Sequence, residues 1–161
     1  MTRAALVARA LAVLLLGASV PTAEPARAYS PEVNYALHCQ GCHLADGRET
    51  PGLVPALDGT LGRMMRVRSG RDYVIRLPNV TGAQLDDAET AELVTWVVRR
   101  FGGDEVPADF APYTAEEVAA ARRAPLIDVE GARRAVLAEV AEVVARERTA
   151  AELAAERTAA R

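Results

Sequence analysis

An all-α fold is what this sequence predicts, and three observations carry the prediction. No stretch alternates apolar and polar residues over a strand-like length. Ala91, Val94, Val97, Val98 and Phe101 recur at helical spacing, with Leu93 and Trp96 widening the stripe. Two further stretches, after Thr114 and after Asp128, are rich in Ala, Glu and Arg and sit behind residues that cap helices.

The elements follow in chain order. Arg3 and Arg9 form a positive start, residues 10–20 an apolar run, and Ala26-Arg27-Ala28 a small-residue cleavage site, so residues 1–28 read as a secretory signal peptide. The apolar run falls short of the about 20 residues a bilayer span needs. The expected product is exported to the periplasm, begins at Tyr29 and keeps no membrane span. Ser30-Pro31 then opens a helix, with proline at the first helical position, where its missing N–H costs nothing. That helix carries Val33, Leu37 and the turn Cys39-Gln40-Gly41-Cys42-His43.

Residues 44–62 hold Gly47, Pro51, Gly52, Pro55, Gly59 and Gly62, which predicts an irregular loop. A short helix follows over 70–77 and stops at Pro78. Asp86, with Glu89 three residues on, reads as a capping box for the striped helix, which runs to about Phe101 before Gly102-Gly103. Thr114 and Glu117 make a second box, opening a helix to about Arg123 that ends at Pro125. Asp128 caps a long final segment in which Val136, Leu137, Val140, Val143 and Val144 form an apolar face able to dock on the preceding domain. Its tip repeats Glu-Arg-Thr-Ala-Ala from Glu147 and again from Glu156, an exposed helix expected to fray. The organisation expected is a leader at 1–28, a domain at 29–103 and a C-terminal helical extension at 104–161.

Chemistry concentrates in the turn that ends the first helix. Cys39 and Cys42 are the only cysteines of the chain, and His38 and His43 its only histidines. The pattern C-x-x-C-H is the c-type haem attachment signal: two thiols on one helical turn add to the haem vinyl groups, and the histidine lies under the iron as its proximal ligand. A zinc site made from these four residues would need contiguous ligands with hardly any chain between them, and a thioredoxin-like pair would need a βαβ setting. The cofactor expected is therefore one haem c, with its iron, per chain, bound covalently by Cys39 and Cys42 and axially by His43.

The charge is −3 and every one of the 19 basic residues is an arginine, which leaves no lysine to ligate iron and no basic, aromatic-laced face for nucleic acid. Arg63, Arg66, Arg68, Arg71 and Arg76 cluster with only Asp72 among them. The expectation is that these arginines steer an acidic redox partner.

With those residues set out, the segment from Tyr29 to about Phe101 resembles a class I c-type cytochrome of the bacterial, periplasmic, single-haem kind. Helix, C-x-x-C-H, glycine-proline loop and a closing helix with an aromatic residue stand in that family's order. The resemblance implies that Pro55, within Val54-Pro55-Ala56-Leu57-Asp58-Gly59, offers its carbonyl to the second ring nitrogen of His43, and that Leu57 packs on the haem face. It also implies that the closing helix crosses the first one and brings Trp96 near Tyr35 or Val33. A distal methionine is implied just before a proline ahead of the last helix, but this chain has Leu77-Pro78 there. Met64 or Met65 is then the candidate distal axial ligand, with an open or water-bound position as the alternative.

The activity implied is carriage of one electron between redox partner proteins, such as a periplasmic dehydrogenase or a terminal oxidase, rather than enzymatic catalysis. Two other functions remain compatible with the residues. One is a haem protein whose open distal site binds a small ligand such as CO or NO. The other is a dedicated electron-accepting subunit of a periplasmic dehydrogenase, docked through the extension.

Overall fold

A computed structural model describes residues 29–160, so the leader expected at 1–28 lies outside the described residues. Within them the regular elements are all helical: α1 (Pro31–His38), α2 (Gln40–His43), α3 (Leu61–Met64), α4 (Arg68–Ile75), α5 (Pro78–Thr81), α6 (Asp87–Phe101), α7 (Ala115–Arg123) and α8 (Val129–Ala159), with a 3-10 turn at Gly103–Glu105. The all-α expectation is met.

Helix starts are marked by the chemistry that orphaned N–H groups require. The Ser30 hydroxyl accepts from the Val33 N–H. Asp86 accepts from the Glu89 N–H at 2.8 Å while Glu89 accepts from the Asp86 N–H at 3.0 Å, closing the capping box of α6. Thr114 and Glu117 make the same exchange at α7, and Asp128 accepts from the Gly131 N–H at α8. Four boundaries differ from expectation. The first helix breaks at Cys39, so the attachment turn stands apart as α2; α3 overlaps the end of the segment read as an irregular loop; α4 spans Arg68–Ile75 rather than 70–77; and Pro78 opens α5 instead of ending helical structure. Pro78 can do so because it occupies the first helical position, and the Leu77 carbonyl accepts from the Val80 and Thr81 N–H groups at 2.9 Å each. The last helix is exposed as expected over 145–160 but remains helical to Ala159.

Two apolar clusters organise the packing, and α6 divides between them. Ala91, Val94 and Val98 join the larger one, which gathers Met64 of α3, Val74 of α4, Val118 of α7, and Val136 and Val140 of α8. Leu93 and Phe101 join the smaller one with Tyr35 of α1, and Cys39, Leu57, Leu85 and Trp96 pack against it. The apolar face of α8 therefore docks on the domain, with Leu137, Val143 and Val144 partly covered beside the two buried valines.

Three of the five arginines expected to steer a partner are engaged within the chain, while Arg63 and Arg68 stay exposed. Arg66 pairs with Glu105 at 2.9 Å and with Glu147 at 2.5 Å. Arg71 grips Glu117 with two N–H groups at 2.8 and 2.7 Å, donates to the Ala111 and Pro112 carbonyls, and lies 3.9 Å over the Tyr113 ring. Arg76 pairs with Asp72 and donates to the Ala124 carbonyl. These side chains are largely spent inside the chain, holding the extension to the domain, because the extension supplies carboxylates and carbonyls whose positions no local pattern reveals.

Candidate functional site

The attachment turn is built where α1 runs out. The Cys39 N–H still bonds to the Tyr35 carbonyl at 2.9 Å, and the Cys39 carbonyl in turn accepts from the Cys42 N–H at 3.1 Å and the His43 N–H at 3.0 Å. That single turn, α2, leaves the carbonyls of its C-terminus without helical partners. Two side chains supply them. Thr50 Oγ1 donates to the Cys42 carbonyl at 2.8 Å. The Tyr35 hydroxyl donates to the Leu44 carbonyl at 2.7 Å and stands 3.3 Å from that of His43. Burial, with smaller contributions from Cys39 and Asp46, pushes the Tyr35 pKa up to about 12, so the phenol keeps its proton and remains a donor.

The chain then reverses through Leu44 at φ 55° and Gly47 at φ 76°. Gly47 is required twice over. A Cβ there would meet the Phe101 ring at 2.6 Å, and its backbone lies in the left-handed region. The Gly47 carbonyl accepts from the Leu57 N–H at 2.9 Å, which closes the strap that carries Pro55 and Leu57. Tyr35, Trp96 and Phe101 form a three-ring contact beneath the turn, with centroids 5.5, 5.1 and 5.8 Å apart, so Trp96 does reach Tyr35.

Both thiols are free and half-buried. Burial, reinforced by the neighbouring Cys42, raises the Cys39 pKa to about 11. The His43 ring is half-buried, and burial lowers its pKa; the Pro55 carbonyl facing it offsets part of that. This carbonyl is not aligned as a full hydrogen bond, since His43 Nδ1 is buried without a partner. Among the described residues no three His, Cys, Asp or Glu side chains converge as they would on a metal ion. A haem makes different demands, taking sulfur at the edge of its macrocycle and nitrogen at the centre. Two unbridged thiols on one turn, with a buried, otherwise unpartnered imidazole beside them, fit that group.

The remaining candidates divide between the clusters. The structure brings Pro55 to His43 and sets Leu57 against both clusters. His38 is exposed at the end of α1. Met64 is buried in the larger cluster, and Met65, partly buried against it, has its sulfur 3.6 Å from the Tyr113 hydroxyl, which donates to the Arg71 carbonyl at 3.0 Å; neither joins the cluster of Cys39. Sequence reasoning missed Tyr35 and Thr50 as caps of the attachment turn. The position of Tyr35, one helical turn before Cys39, was the only available sign.

No family model matches the chain. Two curated relatives do, and both are proteins of Thermus thermophilus named cytochrome c-552. The first is 30% identical over 127 residues, covering 67% of this chain and 81% of the relative. The second is 31% identical over 98 residues, covering 50% of this chain and 75% of the relative. The first match is too long to be contained in residues 29–103, so similarity enters the C-terminal extension as well.

Proposed function

Because the chain belongs to the c-type cytochrome family, we propose that it serves as a periplasmic one-electron carrier of the class I kind, with a single covalent haem. The observation that carries this reading is the attachment turn itself: two free thiols on one turn beside a buried imidazole whose Nδ1 has no other partner. The haem c iron supplies the redox step by alternating between ferric and ferrous states.

The protein's own residues do the rest. Cys39 and Cys42 would hold the haem covalently, and His43 would supply the nitrogen that ligates its iron. The Pro55 carbonyl faces the ring without completing a hydrogen bond, and on closing it would accept from Nδ1–H, fix the tautomer and raise the basicity of the ligating nitrogen. Tyr35 and Thr50 pin the turn so that the imidazole keeps one orientation. Leu57, Leu85, Leu93 and Val97 exclude water from the cluster around Cys39. The attachment turn is open to an approaching partner at Gly41, which is exposed and where a Cβ would meet nothing within 4 Å. No helix of the described residues is long and apolar enough to cross a membrane. The partners are redox proteins, a periplasmic dehydrogenase or a terminal oxidase.

The test is haem retention in the denatured protein. Chain expressed with its leader in a host that matures c-type cytochromes should keep haem in denaturant and show no titratable thiols. C39A or C42A should weaken retention, and the double change should abolish it. Haem that washes out of the denatured native chain, with two thiols then titrating, overturns the reading.

A further inference from the structure

Resting on the carrier reading, we infer that the protein leaves the sixth coordination position of its iron without a side-chain ligand, and that this position takes a neutral diatomic molecule of the carbon monoxide or nitric oxide type. Among the described residues the soft or imidazole donors not already assigned are Met64, Met65 and His38, and lysine is absent from the whole sequence.

Each donor is committed elsewhere. Met64 is 4% exposed and sits with Leu61, Val67, Tyr73 and Val136, on the side of α6 that carries the extension. Met65 has its sulfur 3.6 Å from the Tyr113 hydroxyl and lines an open groove of about 990 Å³ with Arg66, Arg71, Phe110 and Glu117. The backbone that carries the two methionines has no freedom to swing. Gly62 lies against the Gly102 carbonyl and Gly70 against the Met64 carbonyl, each so closely that a Cβ would collide. The Met64 N–H bonds to Thr60 and the Met64 carbonyl accepts from Val67, which fixes the turn between those two contacts. His38 directly precedes Cys39, so it stands one residue from the edge of the macrocycle and is too close to arch over to the opposite face.

The tyrosines are no more available. The Tyr35 and Tyr113 hydroxyls are engaged by the Leu44 and Arg71 carbonyls, and Tyr73 is buried in the larger cluster. The choice of ligand follows from the walls. The apolar side chains packed with Cys39 include Leu57, Leu85, Leu93, Trp96 and Val97. An anion brought among apolar side chains loses its hydration, whereas a neutral diatomic molecule can donate a lone pair to ferrous iron without that cost. The step is an addition only; no electron or proton changes hands.

The experiment uses the haem-loaded full chain, reduced with dithionite and exposed to carbon monoxide. The ferrous protein should be high-spin, its Soret band should shift at once on addition of one equivalent of the gas, and M64L and M65L should show unchanged spectra before and after. Leucine conserves methionine's volume, so both variants keep the core filled. A low-spin ferrous spectrum indifferent to carbon monoxide overturns the inference. So does a sulfur-to-iron charge-transfer band in the ferric protein that disappears in M64L or M65L. These outcomes leave the carrier reading standing, because that reading fails only if haem is lost on denaturation.

Discussion

The attachment half of the molecule and the half that carries the extension are held together by different means. Residues 39–60 turn through four positive-φ positions, Leu44, Gly47, Gly52 and Gly59, and leave Leu44 and Leu53 exposed at 42% and 66%. Their ties to the rest run through the Tyr35 hydroxyl, the Cys39 N–H, the contact of Gly47 with Phe101, the packing of Leu57, and the carbonyls of Leu57, Gly59 and Thr60, which accept from Leu61, Arg63 and Met64. The other half closes on itself. Arg66, Arg71, Arg76 and Arg122 each join a carboxylate or carbonyl far along the chain, and α8 lays Val136 and Val140 into the core. One half is complete as polypeptide. The other presents Cys39, Cys42 and His43, the residues proposed to hold the haem, so its order should depend on the cofactor.

The widest separation of the two halves should come from the C39A/C42A double variant. Amide hydrogen exchange in that protein should show residues 39–60 stripped of protection while α4 and the first half of α8 stay protected. Uniform loss across both halves would show that the extension half is not independent. Next in size is Gly47→Ala. It combines a left-handed residue, costing about 1–3 kcal/mol, with overpacking against Phe101, costing about 1–3 kcal/mol more. Gly52→Ala has the same kind of φ, +77°, but open space around its Cβ. The difference between the two urea midpoints in the haem-loaded protein isolates the ring contact, and equal losses would remove it from the account.

On the extension side, Arg71→Ala should cost about 2–3 kcal/mol, the range for charge-assisted hydrogen bonds. Arg71→Lys should recover little, since an ammonium cannot make the two-pronged grip on Glu117 or stack on Tyr113. The same pair sets an acid limit. Hydrogen bonding from Arg71 holds the Glu117 carboxyl below its ordinary 4.5, so its stabilisation is fully present above that value and disappears as pH falls through the lower, folded-state pKa. The stability gap between the native chain and R71A should therefore stay constant on acidification to about pH 4.5 and narrow below it. The smallest effect belongs to truncation after Val144. The residues removed are exposed, and the ion pairs lost, Arg66 with Glu147 and Arg146 with Glu142, lie at the surface, so the stability should change by less than about 1 kcal/mol and the haem spectrum not at all.

What could be read in advance follows the same division. The helix caps at Ser30, Asp86, Thr114 and Asp128 were legible because a cap and its target N–H lie within three residues. The attachment turn was legible for the same reason, since Cys39, Cys42 and His43 act through spacing alone. The carbonyl of Pro55 beside His43 could be expected only through the resemblance to a known family. The placement of Met64 and Met65, and the use of the arginines, were not legible. Both depend on where α7 and α8 fold back, and that is decided by contacts such as Arg71 to Glu117 whose partners lie 46 positions apart. A run of arginines has the same local appearance whether it faces solvent or a returning helix.

The contact of Gly47 with Phe101 also has a place in time. It joins the strap to the far end of α6, and contacts of such sequence separation are made late because the loop between must be closed at an entropic cost. Before then α2 is an isolated turn of four residues, far below the length at which a helix persists alone in water. Cys39 and Cys42 thus remain open to solvent through most of folding. The closing of the strap comes after them, as the final seal on a site still accessible while the chain was being assembled.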